Sequence, residues 1–262
     1  MENDQQVQCS RRGFLKGAGV AALGAAGLAT MASAAPQVAQ AVGMSTQKWP
    51  WPYVKLDPEQ TAERAYKEWY RVFCGAAVVS SIFGQLAEKV GDPYKSFPVD
   101  GFIFLEGGTS GWGTICGSNA GANMVTNLII GPRIAGSEDG MMMGSELMQW
   151  YADANMPVFT PKDPKVKTPL VKTVANSPLC HVSVGKWMKA SGLPLGSPER
   201  KDRCARVTAS MAYRTVELLN QWHDKKYVTQ GTFPPALFNI TAQTNCNECH
   251  GSNVPTPPTA KK

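Results

Sequence analysis

Ala76-Ala77-Val78-Val79-Ser80-Ser81-Ile82-Phe83-Gly84-Gln85-Leu86-Ala87-Glu88-Lys89-Val90 is the run whose reading decides the fold. Val78, Val79, Ile82, Phe83 and Leu86 recur at mixed three- and four-residue spacing, which is the period of a helix that buries one side. Gly91-Asp92-Pro93 stops it, since proline pushes the residue before it out of helical conformation. Upstream, Asp57-Pro58-Glu59 supplies an N-cap, a proline at the first helical position and an acid in the first turn, so a helix is expected to about Val72. Before that, Trp49-Pro50-Trp51-Pro52-Tyr53, within residues 42–56, reads as an extended lead-in that packs on the core.

Downstream the same pattern recurs. A glycine-rich stretch from Glu106 to Gly113 leads to Cys116-Gly117 and an apolar helix through Ile130, ended by Gly131-Pro132. Met141 to Ala154 reads as a further helix, followed by a Pro- and Lys-rich loop from Pro157 to Ser177. A short helix after His181 and a long one from Pro198 to about Asp224 complete the body. Strand signals are weak throughout, and there is no internal repeat. The expected class is therefore mainly α: a helical body over residues 42–224 and a small irregular C-terminal segment over 225–262. Gly231, Pro234, Pro235 and a Pro/Thr/Lys tail mark that segment's change of character.

Ser10-Arg11-Arg12-Gly13-Phe14-Leu15-Lys16, with the weakly apolar run behind it, reads as a twin-arginine signal over residues 1–34. Gly17, Gly19, Gly24 and Gly27 break the apolar run, and it ends in the small-residue pattern Ala32-Ser33-Ala34. A second such pattern at Ala39-Gln40-Ala41 would put the cut as late as 41. The expectation is export to the periplasm without a stable membrane anchor. Removing Arg11, Arg12 and Lys16 from 26 basic residues, and Glu2 and Asp4 from 20 acidic ones, leaves a net charge of +5. The basic residues are scattered, without the basic arm or aromatic–basic interleaving that nucleic acid would call for. A mildly basic surface suits acidic redox partners.

Cys246-Asn247-Glu248-Cys249-His250 supplies two thiols for the two vinyl groups of one porphyrin and an imidazole for its iron. Cys246 and Cys249 are the expected haem c attachment sites and His250 the proximal ligand. A zinc ribbon would need a second C-x-x-C, and a thioredoxin-like pair would sit between a strand and a helix. His181 and His223 are the other two histidines, and each is a candidate distal ligand. The Met141-Met142-Met143 run and Met148 are a fallback, better read as core packing.

Cys74, Cys116, Cys180 and Cys204 remain in the exported chain. The twin-arginine route carries folded proteins, and haem c is attached only after export, so another cofactor would explain the signal. Four thiolates suit an iron–sulfur cluster, and Cys74 and Cys116 stand near helix starts, where the dipole favours thiolate. Two disulfides or four buried free thiols explain the same count. Ser177 to His181 also resembles an attachment site lacking its first cysteine, which would hold a second haem by one thioether.

Taken together, Cys74-Gly75-Ala76-Ala77, Gly113-Thr114-Ile115-Cys116-Gly117 with Ala120-Gly121-Ala122, Asn176-Ser177-Pro178-Leu179-Cys180-His181, and Cys246 to His250 resemble the split-Soret cytochrome c family. The cysteine-spaced body is similar to the broader C-GCAxxG-C-C domain family. The resemblance implies a homodimeric periplasmic electron carrier with bis-histidine haems at one end of the dimer, one axial histidine coming from the partner chain. It implies a cysteine-bound iron–sulfur site in the body, and it favours His181 over His223 as distal ligand. The family is described with two haems per chain, whereas this sequence has one C-x-x-C-H and three histidines. One haem per chain is the expectation.

Electron transfer without substrate turnover is thus the leading function. The alternatives are a haem or iron–sulfur oxidoreductase acting on a small molecule, and a module that senses redox state or gas. Asp202 and Arg203, and Glu146 on its own helix, read as solvated helix faces rather than as acid–base machinery. Gly107-Gly108-Thr109-Ser110-Gly111-Trp112-Gly113 lacks the ending of a phosphate loop, and reads as close backbone approach or a loop over a cluster.

Overall fold

The computed structural model of the protein describes residues 48–230. The signal segment and the C-terminal segment, with Cys246, Cys249 and His250, lie outside the described residues. Six α-helices account for most of the described body: α1 Pro58–Val72, α2 Cys74–Val90, α3 Gly117–Ile130, α4 Asp139–Asp153, α5 Cys180–Ser191 and α6 Pro198–His223. The sheet is a single antiparallel pair of two-residue strands, β1 Asn155–Met156 and β2 Thr173–Val174. The mainly α expectation therefore holds. No helix among the described residues is long and apolar enough to cross a membrane.

The two best-capped helices are α1 and α6, and they lie along each other. Asp57 accepts a hydrogen bond from the Gln60 amide at 2.9 Å, and Ser197 accepts one from the Arg200 amide at 3.1 Å. In both, a proline follows the cap and a glutamate stands in the first turn. That arrangement satisfies otherwise orphaned amides and complements the helix dipole.

Most of α2 is buried over its first three turns, so it forms the centre about which α1, α3 and α6 pack. Ile82, Phe83 and Leu86 from α2 meet Val125 and Ile129 of α3, Met143, Leu147 and Tyr151 of α4, and Met211, Val216 and Leu219 of α6. Met143 is a core residue, as expected. The lead-in packs on this core as the tryptophans suggested: Trp51 and Tyr53 are buried, and the Trp51 amide donates to Ile129 O at 2.8 Å.

Three expectations about helix faces are corrected. Asp202 and Arg203 are 0% and 1% exposed, and Glu146 is 5% exposed, so none is a solvated face. Asp202 accepts from both Tyr66 and Tyr70 and from Arg206 Nε at 2.7 Å. Glu146 accepts from Arg214 Nη2 at 3.2 Å, Tyr227 Oη at 3.1 Å and the Gln230 amide at 3.0 Å. The reason is that α6 runs through the body with neighbours on several sides, so it buries polar positions that an amphipathic helix would present to water. Two helices also begin earlier than read, α2 at Cys74 and α5 at Cys180.

Candidate metal centre

Three of the four body cysteines stand at helix N-termini. Cys74 is the first residue of α2, Cys116 the N-cap of α3, and Cys180 the first residue of α5, while Cys204 lies in the second turn of α6. Phe73 alone separates α1 from α2, and its φ of 59° with ψ of −165° turns the chain within one residue. A left-handed φ is strained for a phenylalanine, and it sets the direction in which Cys74 emerges.

Close backbone approach joins α2 to α3. A Cβ on Gly117 would collide with Leu105 O and lie 2.9 Å from Cys74 Cβ, and one on Gly75 would lie 2.8 Å from Gly117 O. Only glycine fits there, and the result is that the starts of α2 and α3 abut. A second seam joins α3 to α5. The Cys116 amide donates to Pro178 O at 2.9 Å, the Cys180 amide to Thr114 O at 2.7 Å, and Ile115 pairs with Leu179 in an antiparallel bridge. Arg203 then ties α6 to α5, donating from Nη2 to Ser183 Oγ at 2.7 Å.

All four cysteines are free thiols, Cys74 and Cys116 buried and Cys180 and Cys204 half-buried. No disulfide joins them in this structure. Burial, followed by the proximity of Cys116 and Cys204, pushes the Cys74 thiol up to about 12. The Trp69 Nε1–H, 3.3 Å from Cys74 Sγ, and the Gly107 amide oppose that rise. Cys180 is raised for the same reasons, by burial first and then by Cys116, Cys204 and Cys74. Cys74 and Cys180 both feel Cys116 and Cys204, so the four occupy one electrostatic neighbourhood. Yet among the described residues no three His, Cys, Asp or Glu side chains close on one point as the ligands of a single ion would.

Burial outweighs the neighbouring groups that oppose the rise of these thiols, but there are several. Three helix N-termini face the cysteines, and each carries a partial positive charge. Arg200 Nη1 lies 4.0 Å from Cys204 Sγ. Arg203 is fully buried and has no carboxylate partner among the described residues, and its Nε has no hydrogen-bond partner. Burial alone would lower its pKa, but Cys204, Tyr151 and Cys116 raise it. Tyr151 is also fully buried; its hydroxyl has no hydrogen-bond partner and faces Cys116 and Ser183. Donors without acceptors beside four thiols fit a sulfur-ligated anionic group.

The glycine-rich run curls over Cys74 and uses its amides internally. Ser110 N donates to Phe104 O at 2.7 Å, Gly111 N to Glu106 O at 2.9 Å and Gly113 N to Gly107 O at 2.8 Å. Those amides are not available to a phosphate, which agrees with the sequence reading.

Both candidate distal histidines are exposed; His181 adjoins Cys180, whereas His223 lies at the far end of α6. His181, in the first turn of α5, is held by its amide, which donates to Gly113 O at 3.1 Å, and the exposed Trp112 precedes that glycine. His223 ends α6, with its ring 5.8 Å from that of Tyr53 and Nδ1 3.4 Å from Asp224 Oδ1. Sequence reasoning did not find Trp69, Tyr151 or the role of Arg203. Only the position of Arg203 beside Cys204 was a signal, and it was read as solvent-facing.

Residues 72–218, the span that contains all four cysteines, match the family described as "Putative redox-active protein (C_GCAxxG_C_C)". The chain is 36% identical over 257 residues to split-Soret cytochrome c of Desulfovibrio desulfuricans (strain ATCC 27774 / DSM 6949 / MB), covering 93% of this chain and 88% of that one. The solved structure described as "A novel iron centre in the split-Soret cytochrome c from Desulfovibrio desulfuricans ATCC 27774" has a TM-score of 0.65 and 34% identity. That match covers 81% of this chain and 86% of the other.

Proposed function

The chain belongs to the split-Soret cytochrome c family and to the wider C_GCAxxG_C_C family, and from that premise we propose that it is a periplasmic electron-transfer cytochrome. Cys246 and Cys249 hold one haem c and His250 ligates its iron. His181 is the favoured distal ligand and His223 the second. Both are exposed, so either is free to reach a haem of its own chain or of a partner in a homodimer. Cys74, Cys116, Cys180 and Cys204 hold an iron–sulfur cluster in the body.

The observation that carries this reading is four free thiols, three at helix starts and one on α6, in one electrostatic neighbourhood with a buried guanidinium that has no carboxylate partner among the described residues. Disulfide-bonded or inert structural cysteines would need neither the cation nor the helix ends. Haem and cluster, when bound, supply one-electron chemistry. The chain's own residues hold the thiolates, exclude water from Cys74 and Cys116, and direct N–H groups at sulfur. A folded, loaded body also accounts for the twin-arginine signal, and export suits attachment of haem c. A second redox protein of the same compartment is the partner class.

Cofactor stoichiometry on protein exported from a host with haem c maturation tests this. One haem per chain with surplus iron and acid-labile sulfide is expected. One haem with no further iron or sulfide would refute the body cluster. Carbon monoxide added to the reduced protein is expected to leave the haem spectrum unchanged, because a histidine closes each iron. Ready binding would favour an oxidoreductase or a gas sensor.

A further inference from the structure

Arg203 stands beside Cys204 on α6 and holds Ser183, three residues after Cys180 on α5, and no carboxylate among the described residues pairs with it. The residue is 1% exposed; it donates to the neutral Ser183 Oγ and faces the Cys204 thiol, and its Nε is unsatisfied. The contrast with Arg206, one turn along the same helix, is direct. Arg206 is also buried, and it is paired with Asp202 at 2.7 Å. A buried charge without a charged partner is strongly destabilising in a folded protein, and the thiols beside Arg203 supply that partner once they carry negative charge as ligands. The groups it faces are Cys204, Cys116 and the hydroxyl of Tyr151.

We propose that Arg203 is the built-in counter-charge of the body cluster and raises its reduction potential. This rests on the reading that the four cysteines hold a cluster. One-electron reduction adds one negative charge to that group, with no bond made or broken. A fixed guanidinium beside it stabilises the reduced form more than the oxidised form. Arg203 is thus a positioning and potential-setting residue, not a ligand. In the stripped chain no carboxylate balances its charge, so Arg203 favours the body with its cluster over the body without it.

The test uses the full haem-bearing chain as wild type, R203M and R203K. The cluster is titrated with dithionite against mediators and followed by electron paramagnetic resonance. The cluster of R203M is expected to reduce at lower potential. At fixed ambient potential its reduced-to-oxidised ratio falls about tenfold, which is about 59 mV for one electron. R203K keeps the charge and stays close to wild type. Urea unfolding is then compared before and after the cluster iron is removed with a chelator. The stripped R203M is expected to have a midpoint no lower than stripped wild type, and the loaded R203M a lower one than loaded wild type. Equal cluster potentials in wild type and R203M would overturn this inference alone. So would a stripped R203M that is less stable than stripped wild type or fails to fold, because Arg203 would then be structural. A wild-type chain with haem but no surplus iron or sulfide would refute the cluster reading and this inference together.

Discussion

Asp202 and Cys74 show how single side chains decide whether this interior is stable or reactive. Asp202, 0% exposed, gathers two tyrosine hydroxyls and the Arg206 guanidinium. Removing it leaves a buried guanidinium with no carboxylate. D202A is therefore expected to destabilise the body by about 3–5 kcal/mol, read as a lowered urea midpoint. D202N, which keeps the shape and one acceptor, should lose less. Cys74 behaves differently, because its neighbours are arranged for sulfur rather than for packing. In C74S the hydroxyl still accepts from Trp69 Nε1 but is a poor iron ligand. The expected outcome is a folded chain with its haem intact and its acid-labile sulfide greatly reduced, measured per chain by colorimetric assay. Loss of haem together with sulfide would show that the two sites do not assemble independently.

Helix ends, more than helix bodies, position the centre. The starts of α2 and α3 touch because Gly117 lets Leu105 O approach where a Cβ would stand. G117A must displace backbone rather than a flexible side chain. About 1–3 kcal/mol is expected for such overpacking, with a fall in cluster content, since Cys74 and Cys116 move apart. The cap of α6 is the useful control. Ser197 Oγ satisfies the Arg200 amide at 3.1 Å, and S197A should lower stability by about 1 kcal/mol. That change lies nearly two turns before Cys204 and should leave iron and sulfide per chain as in the wild type. Equal cofactor loss in G117A and S197A would mean that loading follows overall stability rather than the local approach of α2 and α3.

For the molecule as a whole, buried tyrosines set an alkaline limit. Burial raises Tyr53 and Tyr94 above their ordinary value of 10.0. Tyr94 donates its proton to Pro52 O at 2.7 Å and Tyr53 donates to Asn220 Oδ1 at 2.9 Å. The folded form therefore holds these protons more tightly than the unfolded chain does. Their contribution is complete below pH 10 and is lost as pH rises from there toward the folded-state values. Each such group removes up to about 1.4 kcal/mol per pH unit in that window. Urea midpoints measured from pH 8 to 11 should be level at first and then fall. Y94F should flatten the fall, while an unchanged slope in that variant would assign the limit to other groups. Tyr53 and Tyr94 also fasten the lead-in to the body, so the same transition loosens residues 51–56 from α6 and the aromatic cluster around Phe83.

The helices, their caps and the tryptophan-rich lead-in were legible along the chain, because periodicity, prolines and capping residues are local properties. So was the C-x-x-C-H motif, whose five residues carry their chemistry by spacing alone. The early starts of α2 and α5 were not legible: Phe73 turns within one residue at a positive φ, and Cys180 is fixed by the seam to Thr114. The burial of Asp202, Arg203 and Glu146 was not legible either, since a helix period shows that faces exist but not how many of them meet neighbours. Four dispersed cysteines allowed a cluster, two disulfides or four separate thiols. Tertiary structure leaves them unpaired and joins the elements that carry them, by approaches between residues far apart in sequence at Gly117 and Leu105, Cys116 and Pro178, and Arg203 and Ser183.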